Sequence, residues 1–135
     1  MGYGIEEIEG IGPAYAKKLE VAKIKNTDDL LKLCGNAAGR KKVAEATGVG
    51  ESTLLKWSNL ADLMRVNGIG PQFSELLEAS GVDTIKELRT RKAENLAEKM
   101  AEVQKAKKLT KAAPSAKVIQ GWIDSAKKME PTISH

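Results

Sequence analysis

Apolar residues recur at helical steps along almost the whole chain, and glycine or capping residues interrupt them at short intervals. Leu54, Trp57, Ala61 and Met64 are spaced by three and four, which puts them on one face of a helix. The same reading predicts a short helix over 4–9 and a longer one over 13–23. A segment capped by Asn26 or Thr27 runs through Leu33, with Gly35 as its stop. Helices over 37–46 and 52–66 complete the first half. The second half predicts helices over 71–80, 84–91, 93–108 and 115–129. Gly81 stops the first of these, and Thr84 and Glu87 have capping-box spacing at the start of the second. The expected fold class is all-α.

The pattern repeats. Gly10-Ile11-Gly12 followed by Pro13 returns 58 positions later as Gly68-Ile69-Gly70 followed by Pro71. Tyr15, Leu19, Glu20, Ile24 and Leu30 align with Phe73, Leu77, Glu78, Val82 and Leu88. Trp57, Ala61 and Met64 return as Trp122, Ala126 and Met129, at an offset of 65. The seven extra residues equal about two helical turns, so a longer helix is expected in the second half. The reading is therefore one unit over 1–64 and a second over 65–135. Because the 52–66 helix both closes the first and opens the second, they are expected to share one core as a single compact domain.

A helix, a Gly-x-Gly corner and a second helix opened by proline is the sequence form of a helix-hairpin-helix. Glycine lets the backbone turn sharply and approach a partner closely. Proline suits the first helical position, and the free N–H groups around it attract a phosphate oxygen.

Composition narrows the function classes. The chain has 135 residues, 41% of them apolar, enough for a core. Only five are aromatic (two Trp, two Tyr, one Phe), which favours helix over sheet. No apolar run approaches the roughly 20 residues that span a bilayer, and the start lacks a charged-apolar-small leader. A cytoplasmic protein with no membrane partner is expected. Cys34 is the lone cysteine and His135 the lone histidine, which excludes an internal disulfide, a zinc site and Cys–His or Ser–His nucleophile pairs. No constellation for catalysis remains, so the protein is not expected to be an enzyme. The net charge of +4 lies entirely in the second half: nine cations balance nine carboxylates over 1–64, whereas 65–135 hold thirteen and nine.

The stretch Gly10–Lys32, GIGPAYAKKLEVAKIKNTDDLLK, resembles the hairpin of DNA polymerase beta-type repair polymerases. The resemblance implies that Gly10, Ile11, Gly12 and Ala14 offer backbone amides to a DNA phosphate, that Lys17 and Lys18 add charge, and that a monovalent cation can sit beside them. Most of the chain also resembles an uncharacterised bacterial family of duplicated helix-hairpin-helix domains, on GIGPAYAKKLE, WSNLADLMRVNGIGPQFSELL and PSAKVIQGWIDSAKKM. That implies a tandem helix-hairpin-helix bundle of the SAM/HhH-like kind.

The other candidates are weaker. At the second corner, Gly68 and Gly70 are followed by Glu75-Leu76 and Glu78 instead of paired lysines, and charge supplies most sequence-independent affinity. Gly48-Val49-Gly50 forms a third, looser corner followed by Glu51, with Pro114-Ser115 in the matching place of the second half. Lys105, Lys107, Lys108, Lys111 and Lys117 lie in a window, 104–123, that holds no carboxylate. They read either as a nucleic-acid patch or as a solvated helix end that complements the helix dipole. Trp57 and Trp122 read as core, Cys34 as a small apolar residue, and Asp28-Asp29 as a helix opening. The expected function is non-catalytic, sequence-independent binding to the DNA backbone, weak in affinity. The alternative is a protein-interaction or scaffolding domain whose corners are structural.

Overall fold

Side-chain caps set where half of the helices begin. Asn26 Oδ1 accepts the Asp29 N–H at 2.8 Å and Asn36 Oδ1 that of Gly39 at 2.7 Å. Thr84 Oγ1 accepts from Glu87 at 3.3 Å, and Ser115 Oγ from Val118 at 3.2 Å. Each satisfies a first-turn amide that has no intrahelical acceptor. In the computed structural model, which describes residues 3–134, the result is a 3-10 turn, Ile5–Glu7, and eight α-helices. They are α1 Pro13–Val21, α2 Thr27–Cys34, α3 Ala37–Thr47, α4 Glu51–Leu63, α5 Pro71–Ala79, α6 Ile85–Leu88, α7 Ala93–Lys107 and α8 Ala116–Lys127. The fold is all-α: among the described residues there is no strand, only an isolated bridge between Gly4 and Asn26. No helix among them is long and apolar enough to cross a membrane. His135 lies outside the described residues.

Two compact units emerge. Residues 3–62 with 132–134 form the first, and Leu63–Pro131 the second. The division falls at the end of α4, two residues before the 64/65 boundary expected from sequence, and the last described residues belong to the first unit. Leu19, Ile24, Leu30, Cys34 and Leu54 are fully buried in the first unit. The core of the second centres on Leu76, Leu77, Val82, Ile85, Leu88, Met100 and Ile119.

Two expectations need correction. Helix α6 stops at Leu88 instead of Arg91, because the N–H groups of Thr90 and Arg91 bond three residues back, to Glu87 and Leu88. Glu87 does not serve the reciprocal half of the capping box. Its carboxylate takes Arg91 Nε at 3.0 Å and Nη2 at 2.9 Å, the partner one turn away. The seven extra residues of the second half are also shared out. Helix α7 has 15 residues against 11 in α3, about one turn more, and the connection to α8 is longer as well. That connection begins at Lys108, a non-glycine at φ 51° whose N–H bonds Gln104 O at 2.7 Å. Gln104 then staples it: Oε1 accepts the Thr110 N–H at 3.0 Å and the amide nitrogen donates to Thr110 O.

Candidate nucleic-acid interface

The first corner is built on a tryptophan. Gly10 has φ +93°, and its missing Cβ leaves room for the Trp57 indole, whose Nε1 lies 3.2 Å from where that Cβ would sit. Tyr15, from the first turn of α1, meets the same indole edge-on, with ring centroids 5.1 Å apart. Ile11 is turned into the core, and its N–H bonds Ile8 O at 3.1 Å. Its contribution to any ligand is therefore backbone only. Gly12 caps α1 in an extended conformation with no side chain to accept an amide, and Pro13 is the first helical residue. The N–H groups of Ala14 and Tyr15 lie in the first turn, where no intrahelical acceptor exists. Gly12, Pro13 and Ala14 are exposed. A compact, solvent-facing patch of amides results, with the positive end of the helix dipole behind it.

The two lysines of this corner part company. Lys17 lines a groove of about 1000 Å³ together with Glu6, Glu7, Glu20 and Lys25. Lys18 folds the other way, its Nζ 5.6 Å from the Tyr15 ring centroid, in cation–π range. The Ile8 and Gly12 carbonyls accept N–H bonds from Ile11 and Ala16.

The second corner has the same backbone and a different surface. Gly68 has φ +98°, Ile69 is buried with its N–H on Val66 O at 3.0 Å, and Trp122 Nε1 comes within 3.1 Å of the Gly68 Cβ position. Phe73 takes the place of Tyr15, 5.3 Å from Trp122. Gly70 and Pro71 are only half-exposed, however, and Leu76, where the first corner has Lys18, is fully buried in the second core. Glu75 stands where Lys17 does. Gly48, at φ +79°, ends α3 with its N–H on Ala44 O, and Val49 is buried, so the third glycine pair is a helix stop.

Lys105, Lys107 and Lys108 sit exposed at the C-terminal end of α7, with Lys111 in the connection beyond, all in the second unit. Lys117, the last member of that carboxylate-free window, is placed differently. It lines a groove of about 500 Å³ with Arg91, Lys92, Lys127, Glu94 and Gln120. That groove is at the start of α7, about 20 Å of helix away from Lys107. Arg91, Lys92 and Lys127 were not singled out from sequence, because 25 positions separate Lys92 from Lys117 and no linear window joins them.

Cys34 has no solvent exposure, and burial pushes its thiol up to about 11, although the Arg40 charge beside it pulls the other way. It is an inert, packed thiol. Asp29 accepts the Lys25 N–H at 3.1 Å, a local turn at the start of α2.

No curated protein and no solved structure shows a match to this chain. Residues 9–129, spanning both glycine corners and the groove at the start of α7, match a family described as "Domain of unknown function (DUF4332)". With nine-tenths of its length covered, from before Gly10 to beyond Trp122, the chain belongs to the DUF4332 family.

Proposed function

We propose that the chain is a non-catalytic, sequence-independent nucleic-acid-binding module in which the first glycine corner acts as a helix-hairpin-helix and holds a DNA backbone phosphate. The supporting observation is the start of α1: exposed, without a side-chain cap, and fixed against Trp57 through Gly10. A pre-set group of amides loses little freedom when it meets a phosphate. Contacts of this kind position a duplex without reading its bases. Two to four of them imply a slope of log K against log salt of roughly −2 to −4, and a Kd of about 10⁻⁴ to 10⁻⁶ M. Glu6, Glu7 and Glu20 beside Lys17 oppose phosphate, and they favour the second reading, a protein-interaction domain with structural corners.

The test is fluorescence anisotropy with duplex and single-stranded DNA across a salt series. Lys17→Glu with Lys18→Glu should weaken binding at unchanged Tm, while Glu75→Lys at the second corner should strengthen it or leave it alone. Equal losses from lesions at both corners would contradict the ranking of the two. Absence of binding at low salt, where screening is least, hands the role to the protein-interaction reading.

A further inference from the structure

The two units treat one groove in opposite ways. In the first unit, Thr132–Ser134 runs past the α2–α3 corner and the end of α4. Ser134 N–H donates to Gly35 O at 2.7 Å, Arg40 Nη2 donates to Ser134 O at 2.7 Å, and Thr132 Oγ1 donates to Asp62 Oδ1 at 2.7 Å. The fit is close: a Cβ on Gly35 would meet Thr132 O at 2.5 Å. Arg40 is itself buried, its other nitrogen on Cys34 O at 3.0 Å, so the seat for this segment is part of the folded unit.

The matching place in the second unit follows from the helix starts and the tryptophans. Lys92 caps α7 as Asn36 caps α3, and Trp122 stands on α8 as Trp57 does on α4. Arg91 then corresponds to Gly35, Leu96 to Arg40 and Lys127 to Asp62. Arg91 and Lys127 both line the 500 Å³ groove described above. Where the first unit has a glycine and a buried aspartate holding a segment of chain, the second has an open groove with cations at both ends. Lys92 and Lys117 line it as well, against Glu94 as the carboxylate on its wall.

We propose that this groove, between the start of α7 and α8, binds an extended acidic peptide segment of a partner protein. The matching groove of the first unit shows that this place in the fold accepts a polypeptide segment through backbone and side-chain hydrogen bonds. Arg91 is already held by Glu87 Oε1 and Gly81 O, so the positive charge offered to a ligand comes from Lys92, Lys117 and Lys127, which replaces the steric fit of the first unit and selects carboxylate side chains. This site lies in the other unit from the first glycine corner and stands whether or not that corner binds DNA.

The experiment is an NMR titration of the ¹⁵N-labelled full chain at low salt with a capped peptide of alternating Glu and Thr, whose β-branched residues favour extended backbone. Saturable shifts are expected at Lys92–Asn95 and at Lys117, Gln120 and Ile123. The Gln-for-Glu peptide should fail to produce them. Lys117→Glu with Lys127→Glu, both exposed, should weaken the peptide about tenfold or more at unchanged Tm, while Lys17→Glu with Lys18→Glu should leave it unaffected. No saturation at millimolar peptide, or equal affinity for the Lys117/Lys127 variant, overturns the proposal. So does duplex DNA that produces the same shifts and displaces the peptide, which would assign the groove to a nucleic-acid surface.

Discussion

The two glycine corners share nearly every backbone feature and differ in what they present. Both have a positive-φ glycine against a tryptophan indole, a buried isoleucine bonded three residues back, an extended glycine cap and a proline opening the helix. The first leaves that helix start to solvent; the second half-covers it and sinks Leu76 into its core. The corner geometry is thus a device for making a sharp bend over a tryptophan. Exposure and charge around it decide whether it can serve as a site, so a glycine motif by itself says more about architecture than about binding.

The largest effect that would break this comparison is at the tryptophans. Trp57→Ala and Trp122→Ala should each cost about 3–5 kcal/mol in urea unfolding, the usual range for a buried Trp. A loss below about 1 kcal/mol at either would show that the two corners are not supported alike.

Next comes a difference in alkaline behaviour. The folded-state pKa of Cys34 is raised from 9.0 to about 11, so the unfolded chain loses its proton first. Its contribution is complete below about pH 9, declines as pH rises to about 11, and levels off beyond. The difference in stability between wild type and Cys34→Ala should fall across that window by up to about 3 kcal/mol. Thr90 in the second unit has no such titration, so Thr90→Ala should show no pH-dependent difference there.

Arg40 sharpens the contrast between filled and open grooves. Arg40→Leu, which copies Leu96 of the second unit, removes the donor from Cys34 O and Ser134 O and should cost about 1–3 kcal/mol. Hydrogen exchange at Ser134, whose N–H is held by Gly35, should rise in the same variant. Unchanged protection would mean that the segment is seated without Arg40. The smallest expected effect is at the corners themselves. Gly10→Ala and Gly68→Ala each place a Cβ at positive φ and against an indole nitrogen, and about 1–2 kcal/mol apiece should appear as a lower Tm. Unequal values would locate the corner whose tryptophan yields more easily.

Much of this could be read along the chain because it is local. Capping by Asn26 and Thr84 and the proline starts each depend on residues within one turn. Their helices appear within a few residues of expectation, and Trp57 and Trp122 are buried as their spacing required. The departures begin where competing partners are only a turn away. Glu87 had the spacing to serve a cap, yet Arg91 at the next turn took its carboxylate. The seven extra residues read as two turns of helix, yet the αL residue Lys108 ended α7 after about one.

Beyond that range the sequence by itself determined very little. It placed two lysines after the first corner, but only packing sent Lys17 toward Glu6, Glu7 and Glu20 and Lys18 onto Tyr15. It presented Arg91-Lys92 and Lys117 as separate charges and gave no reason to join them with Lys127. Nor did it show that Thr132–Ser134 would return to Gly35, Arg40 and Asp62, because those bonds close loops of up to 99 positions. Helix starts, stops and apolar faces are set by neighbours three or four residues apart. Exposure and the meeting of distant charges depend on which faces pack together, and in this protein only the tertiary structure decided that.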